Sequence, residues 1–194
     1  MTRTGIVVLS AASLIVASSR GADHPTSEHP KSEHPTSEHP TGDHAVPAHQ
    51  GSPELEKMKG LVGSWSGTMD MGQGEMPFNV VYKVTAGGSA VVAVHNPESP
   101  MEMVSVYHDE GGTLAMTRYC MLGNQPYMAQ TGSTDDSVTL SLKGGRGLSN
   151  AEEQHMHGVT IRFIDENTIE ENWVNFDGGK KTAENPILLK RTGG

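Results

Sequence analysis

The chain has 194 residues, with 14 Lys and Arg against 23 Asp and Glu for a net charge of -9 at pH 7, 23 Gly, 10 His, one Cys and 5% aromatic residues. At about 150 residues per domain, this length allows one folded domain plus an appendage. The acidic balance and scarcity of aromatic rings exclude a nucleic-acid surface that neutralises phosphates or stacks bases, and the lone cysteine excludes an intrachain disulfide or a cysteine-only zinc site.

The N-terminus has the three parts of a secretory signal. The α-amino group and Arg3 make it positive, Gly5 to Ala17 is apolar, and small residues follow. The apolar stretch is shorter than the about 20 residues needed to span a bilayer. Residues 1–21 are therefore expected to be a signal peptide and the protein to be exported, to the periplasm or beyond. Cleavage after Ser19 or Gly21 fits better than after Ala22, which would place Arg20 where a small residue is preferred. No cysteine follows for lipid attachment, and the mature chain is expected to have no transmembrane segment. Loss of Arg3 and Arg20 takes the formal charge from -9 to -11.

Residues 22–51 form an arm of different character. His24, His29, His34, His39, His44 and His49 recur at a five-residue step; an acidic residue precedes the first five and Pro follows the first four. A low-complexity tract with no apolar face cannot offset its chain entropy by burial, and is expected to be disordered. Proline biases it to polyproline II at about 3.1 Å per residue, so successive imidazoles lie roughly 15 Å apart. One ion cannot bridge them unless the chain bends. Loose binding of Cu, Zn or Ni through these six histidines is one expectation. Cleavage after Gly21 would add a sharper one, a free amine with His24 third, which suits square-planar copper. The others are a charge that protonation cancels or reverses near or below pH 6, giving pH-dependent attachment to an anionic surface, and a solvated linker with no specific role.

From Ser52 to residue 194 the pattern is globular. Ser52, Pro53, Glu54 and Glu56 have the order of an N-cap, a first-turn proline and first-turn acids, predicting a short helix to about Lys59 with Gly60 as its stop. Period-2 runs then predict strands at roughly 63–71, 76–85, 89–95, 101–108, 113–121, 127–132, 137–143, 157–164, 168–176 and 181–190, mostly separated by glycine or Asp/Asn turns. About ten short strands joined by hairpins point to an all-β, antiparallel up-and-down meander closed into a barrel, because closure removes exposed edges. A two-sheet sandwich is the alternative. Alternation puts Met76, Phe78, Val80, Tyr82 and Val84 on one face, and His157, Val159, Ile161 and Phe163 on another. It groups Leu114, Met116, Arg118, Cys120 and Leu122, and also Ile169, Glu171 and Trp173, a mixed face of the kind that lines a ligand cavity. Gly144 to Gly147 reads as a flexible loop at the barrel mouth, and Lys180 with Lys181 as a hairpin charge pair.

The helix followed by Gly63-Ser64-Trp65 resembles the opening of lipocalin-like (calycin) barrels, in which the Trp closes one barrel end. Together with Tyr82 to Ala90, Met103 to His108, Tyr119 to Pro126 and His155 to His157, it is similar to an uncharacterised bacterial family of secreted lipocalin-like domains. The similarity spans about residues 54–191. It implies a calycin-like barrel and no settled activity.

Polar and soft side chains concentrate at Tyr107, His108, Tyr119, Cys120, Asn124, Gln125, His155, His157, Glu171 and Trp173, the candidate ligand-binding residues. His155 and His157 would stand about 6.5–7 Å apart along a strand, close enough to meet one metal. With Cys120 or Glu171 they would make a zinc or copper site, and one free histidine would ligate haem iron. Cys120 beside a histidine would instead make a nucleophile and base. Against these stand a buried structural cysteine, hydrogen-bonded rim histidines, and Met101, Met103, Met116, Met121 and Met128 as adaptable barrel filling. The phosphate-loop, nucleophile-elbow and His-Glu-x-x-His motifs do not occur. The expected protein is a non-catalytic binder of a small apolar or amphipathic molecule. A metal-handling protein and a small cysteine–histidine enzyme are the alternatives.

Overall fold

The computed structural model describes residues 49–193 except Met71 and Gln73. The signal peptide and the histidines from His24 to His44 lie outside the described residues. The helix forms as its signals indicate. In α1 (Pro53–Lys59) the Ser52 hydroxyl accepts from the Leu55 N–H at 3.1 Å, Glu54 and Glu56 occupy the first turn, and Leu55 and Met58 are buried. Ser52 also donates its backbone N–H and hydroxyl to the Asp109 carboxylate at 2.6 and 2.7 Å, tying the helix start to the sheet.

Ten strands follow: β1 (Gly63–Asp70), β2 (Glu75–Thr85), β3 (Ala90–His95), β4 (Met103–Glu110), β5 (Thr113–Tyr119), β6 (Gln125–Ser133), β7 (Ser137–Arg146), β8 (His155–Asp165), β9 (Thr168–Asp177) and β10 (Lys180–Gly193). Each pairs antiparallel with its sequence neighbours, and β1 pairs with β10, closing the barrel. This closed ten-stranded barrel with one preceding helix is consistent with a lipocalin-like fold. Among the described residues no helix is long and apolar enough to cross a membrane.

One end is shut by the helix and by Trp65. The Trp65 indole donates to the Leu61 carbonyl at 2.8 Å, and the Arg191 guanidinium lies 4.3 Å over its ring. Arg191 also donates to the carbonyls of Gly60, Val62 and Glu166, so β10 locks the helix-to-β1 connection through one side chain. Leu55, Met58, Leu61 and Trp65 join Val80, Val91, Leu114, Leu140 and Ile161 in one continuous core. Burial of each such side chain contributes roughly 1.5–3 kcal/mol before chain entropy is counted.

Three expectations need correction. Gly144 and Gly145 are not a loop: they extend β7 against Tyr127 and Pro126 of β6, where the close approach of the strands leaves a Cβ on Gly145 only 2.5 Å from the Gln125 carbonyl oxygen. His157 does not share a face with Val159 and Ile161. A bulge between Met156 and Gly158 shifts the register against β9, so Met156 turns inward opposite Asn175 while His155 stands outside opposite Phe176. Met76 is 42% exposed at the open rim, paired there with Met69, because its strand runs past the core.

Candidate functional site

The open end of the barrel holds a cavity of about 480 Å³, within the range of small-molecule sites. Its wall includes Met69, Met101, Met103, Met121 and Met156 together with Phe78, Ile187, Cys120 and Leu122. These methionines come from β1, β4, β8 and two loops. They look scattered along the chain and converge only when the barrel closes. Met116 and Met128 are core filling, as their burial shows.

Arg118 and Trp173 also face this cavity, and behind them lies a buried polar layer. Inward positions of four strands bring Tyr82, His95, Ser105 and Glu171 into it. The Glu171 carboxylate accepts from the Tyr82 hydroxyl, from the Trp173 indole at 2.8 Å and from His95 Nε2 at 3.2 Å. On the other side of the imidazole, Nδ1 faces Arg118 Nη1 at 3.4 Å. A guanidinium only donates, so Nδ1 must accept and Nε2 carry the hydrogen given to Glu171. His95 is thus a neutral bridge between a buried cation and a buried anion. It is wedged edge-on against Trp173, ring centroids 5.6 Å apart.

The titration directions agree with this arrangement. Burial, with the Arg118 charge, lowers the His95 pKa against the pull of Glu171. Burial pushes the Glu171 carboxyl up, but the pull of His95 and the hydrogen bonds from His95, Tyr82 and Trp173 outweigh it and hold the carboxyl down to about 2. Burial and the neighbouring Glu171 charge push the Tyr82 phenol well above its ordinary range, which keeps it a donor. Arg118 also donates to Ser105 Oγ at 3.0 Å and to Met103 Sδ at 3.4 Å, and its guanidinium lies 3.9 Å over the Trp173 ring.

The candidate residues from the sequence divide accordingly. Cys120 and Trp173 line the cavity, Glu171 lies behind it, and Tyr107 is buried on the inner face of β4 with its hydroxyl unpartnered. Tyr119 is 53% exposed, and the His108 ring approaches the Asp109 carbonyl. Asn124 donates to the Gln154 carbonyl at 2.9 Å, and Gln125 to the Gly123 carbonyl at 3.1 Å, so both shape the β5–β6 turn and its neighbour. His155 Nε2 and His157 Nδ1 lie 3.0 Å apart, and the His157 ring stacks on Phe176 with centroids 3.8 Å apart. They are a packed pair on the side of the sheet away from the cavity, His155 fully buried there, whereas Cys120 lines the cavity and its sulfur meets Met103 Sδ at 4.0 Å. Among the described residues no three His, Cys, Asp or Glu side chains are grouped to hold a metal ion. His49 meets the barrel through its backbone, donating to the Gly87 carbonyl at 3.2 Å and accepting from the Lys59 ammonium at 2.7 Å.

Sequence reasoning passed over Tyr82, His95, Ser105 and Arg118 as site residues. A readable signal existed at Arg118: a charged residue in alternation with Leu114 and Met116 has to be either exposed or purposefully buried. No family model matches the chain and no curated protein matches it.

Proposed function

We propose that this protein is an exported, non-catalytic binder of one small apolar or amphipathic molecule, held in the open end of the barrel, and that it belongs with the secreted lipocalin-like domains its motifs resemble. The observation that carries the binding role is the methionine-lined cavity of about 480 Å³ with Trp173 and Arg118 at its inner side. Unbranched thioether side chains conform to varied apolar shapes. A binding role also accounts for how the polar groups are used: both nitrogens of His95 are engaged, Glu171 holds three donors, and the Cys120 sulfur contacts a thioether that cannot serve as a base. Export rests on the apolar stretch from Gly5 to Ala17, and loose gathering of Cu, Zn or Ni by the arm rests on the five-residue histidine step.

Titration of the full chain with the neutral fluorophore N-phenyl-1-naphthylamine tests the binding role. Saturable one-to-one binding is expected, weakened at least about tenfold by Ala183→Trp, which puts a large ring on the cavity wall. Equal binding by the variant would remove the cavity as the site.

A further inference from the structure

Arg118 is 1% exposed, faces the cavity, and belongs to none of the ion pairs among the described residues. A buried guanidinium is costly to leave without a directly paired anion; the Glu171 charge acts on Arg118 from nearby but makes no ion pair with it. Glu171 is committed to Tyr82, Trp173 and His95, and the neutral imidazole separates it from the arginine.

The five N–H groups of Arg118 are used unevenly. Nη1 is directed to Ser105 Oγ and His95 Nδ1, both oxygen or nitrogen acceptors. Nη2 has only the Met103 sulfur, a weak acceptor on a flexible stem, and Nε has no partner. Nε–H and one Nη2–H point the same way along one edge of the planar group, a fork that matches the two oxygens of a carboxylate. Trp173 beneath the plane, with Ser105 and His95 at the far edge, holds that fork in orientation.

Building on the proposed binding role of the cavity, we infer that the ligand is an amphipathic monocarboxylate whose head group is bound side-on by Arg118 Nε and Nη2, with its apolar body against the methionines nearer the mouth. Met103 moves off Nη2 when the head group arrives. One positive charge, with Glu171 already negative close by, favours a monoanion over the dianion of a phosphate monoester.

Isothermal titration of the full chain at neutral pH with decanoate, 1-decanol and decyl phosphate separates the outcomes. Decanoate is expected to bind one-to-one, about tenfold or more tighter than decanol and tighter than decyl phosphate. Arg118→Met should bring decanoate to the level of decanol, and Arg118→Lys, a point charge without the fork, should fall between. If decanol binds the unmodified chain as tightly as decanoate, the carboxylate assignment is overturned and the apolar cavity stands. A tighter fit for decyl phosphate overturns the choice of head group. If neither decanoate nor decanol binds, and N-phenyl-1-naphthylamine does not either, the binding role fails with it. The unmodified chain alone decides among these, so the test survives a variant that does not fold.

Discussion

Glu171 and His95 make the protein's stability depend on acid in a definite direction. Both have folded-state pKa values below their ordinary ones, so the unfolded chain takes up their protons first and stability falls as pH drops. The His95 contribution is complete above its ordinary value of 6.5 and erodes below it. The Glu171 contribution is complete above 4.5 and is lost as pH falls through its folded value of about 2. While one group is protonated only in the unfolded chain, stability tilts by about 1.4 kcal/mol per pH unit. Glu171→Gln should therefore flatten urea-melt stability between about pH 4.5 and 2 relative to the unmodified chain. An unchanged slope would mean that another carboxylate carries the acid sensitivity. Glu171 and Trp173 were legible in the sequence, because alternation along one strand places them together. Their partners were not, since no local pattern links Tyr82 to a glutamate 89 residues away.

The seam between β1 and β10 is where the barrel closes, and Gly67 stands in it. A Cβ at Gly67 would lie 2.1 Å from the Leu188 carbonyl oxygen, a backbone atom that cannot swing aside. Gly67→Ala should destabilise the fold by about 2–3 kcal/mol, seen as a lower urea midpoint. A neutral effect would mean that the seam has slack. The strands themselves are close to the alternating runs in the sequence, with shifts only at their ends: β5 stops at Tyr119 rather than 121, and β8 begins at His155 rather than 157. The bulge at Met156 to Gly158 escaped because period 2 carries no mark of an extra residue. That single insertion moves the two histidines out of the barrel and brings Met156 in. It therefore separates the pair most readily taken for metal ligands from the one cysteine.

Across the whole chain, the six histidines at a five-residue step and the four others are separate matters. If the arm is the part that gathers metal, replacing His24, His29, His34, His39, His44 and His49 by Ala should remove most of the copper, zinc or nickel retained by the untagged protein, as measured by metal analysis. Retention unchanged would move the metal chemistry elsewhere. The number, order and antiparallel hairpin pairing of the strands, and the helix before them, follow from local features: alternation, glycine turns, and a serine–proline helix start. These act within a few residues and can be read along the chain. The methionine cavity and the Arg118–His95–Glu171 line depend on which inward positions meet when β1 pairs with β10 and ten strands take one register. That is a property of closure, in which residues distant in sequence become neighbours, and only the folded barrel contains it.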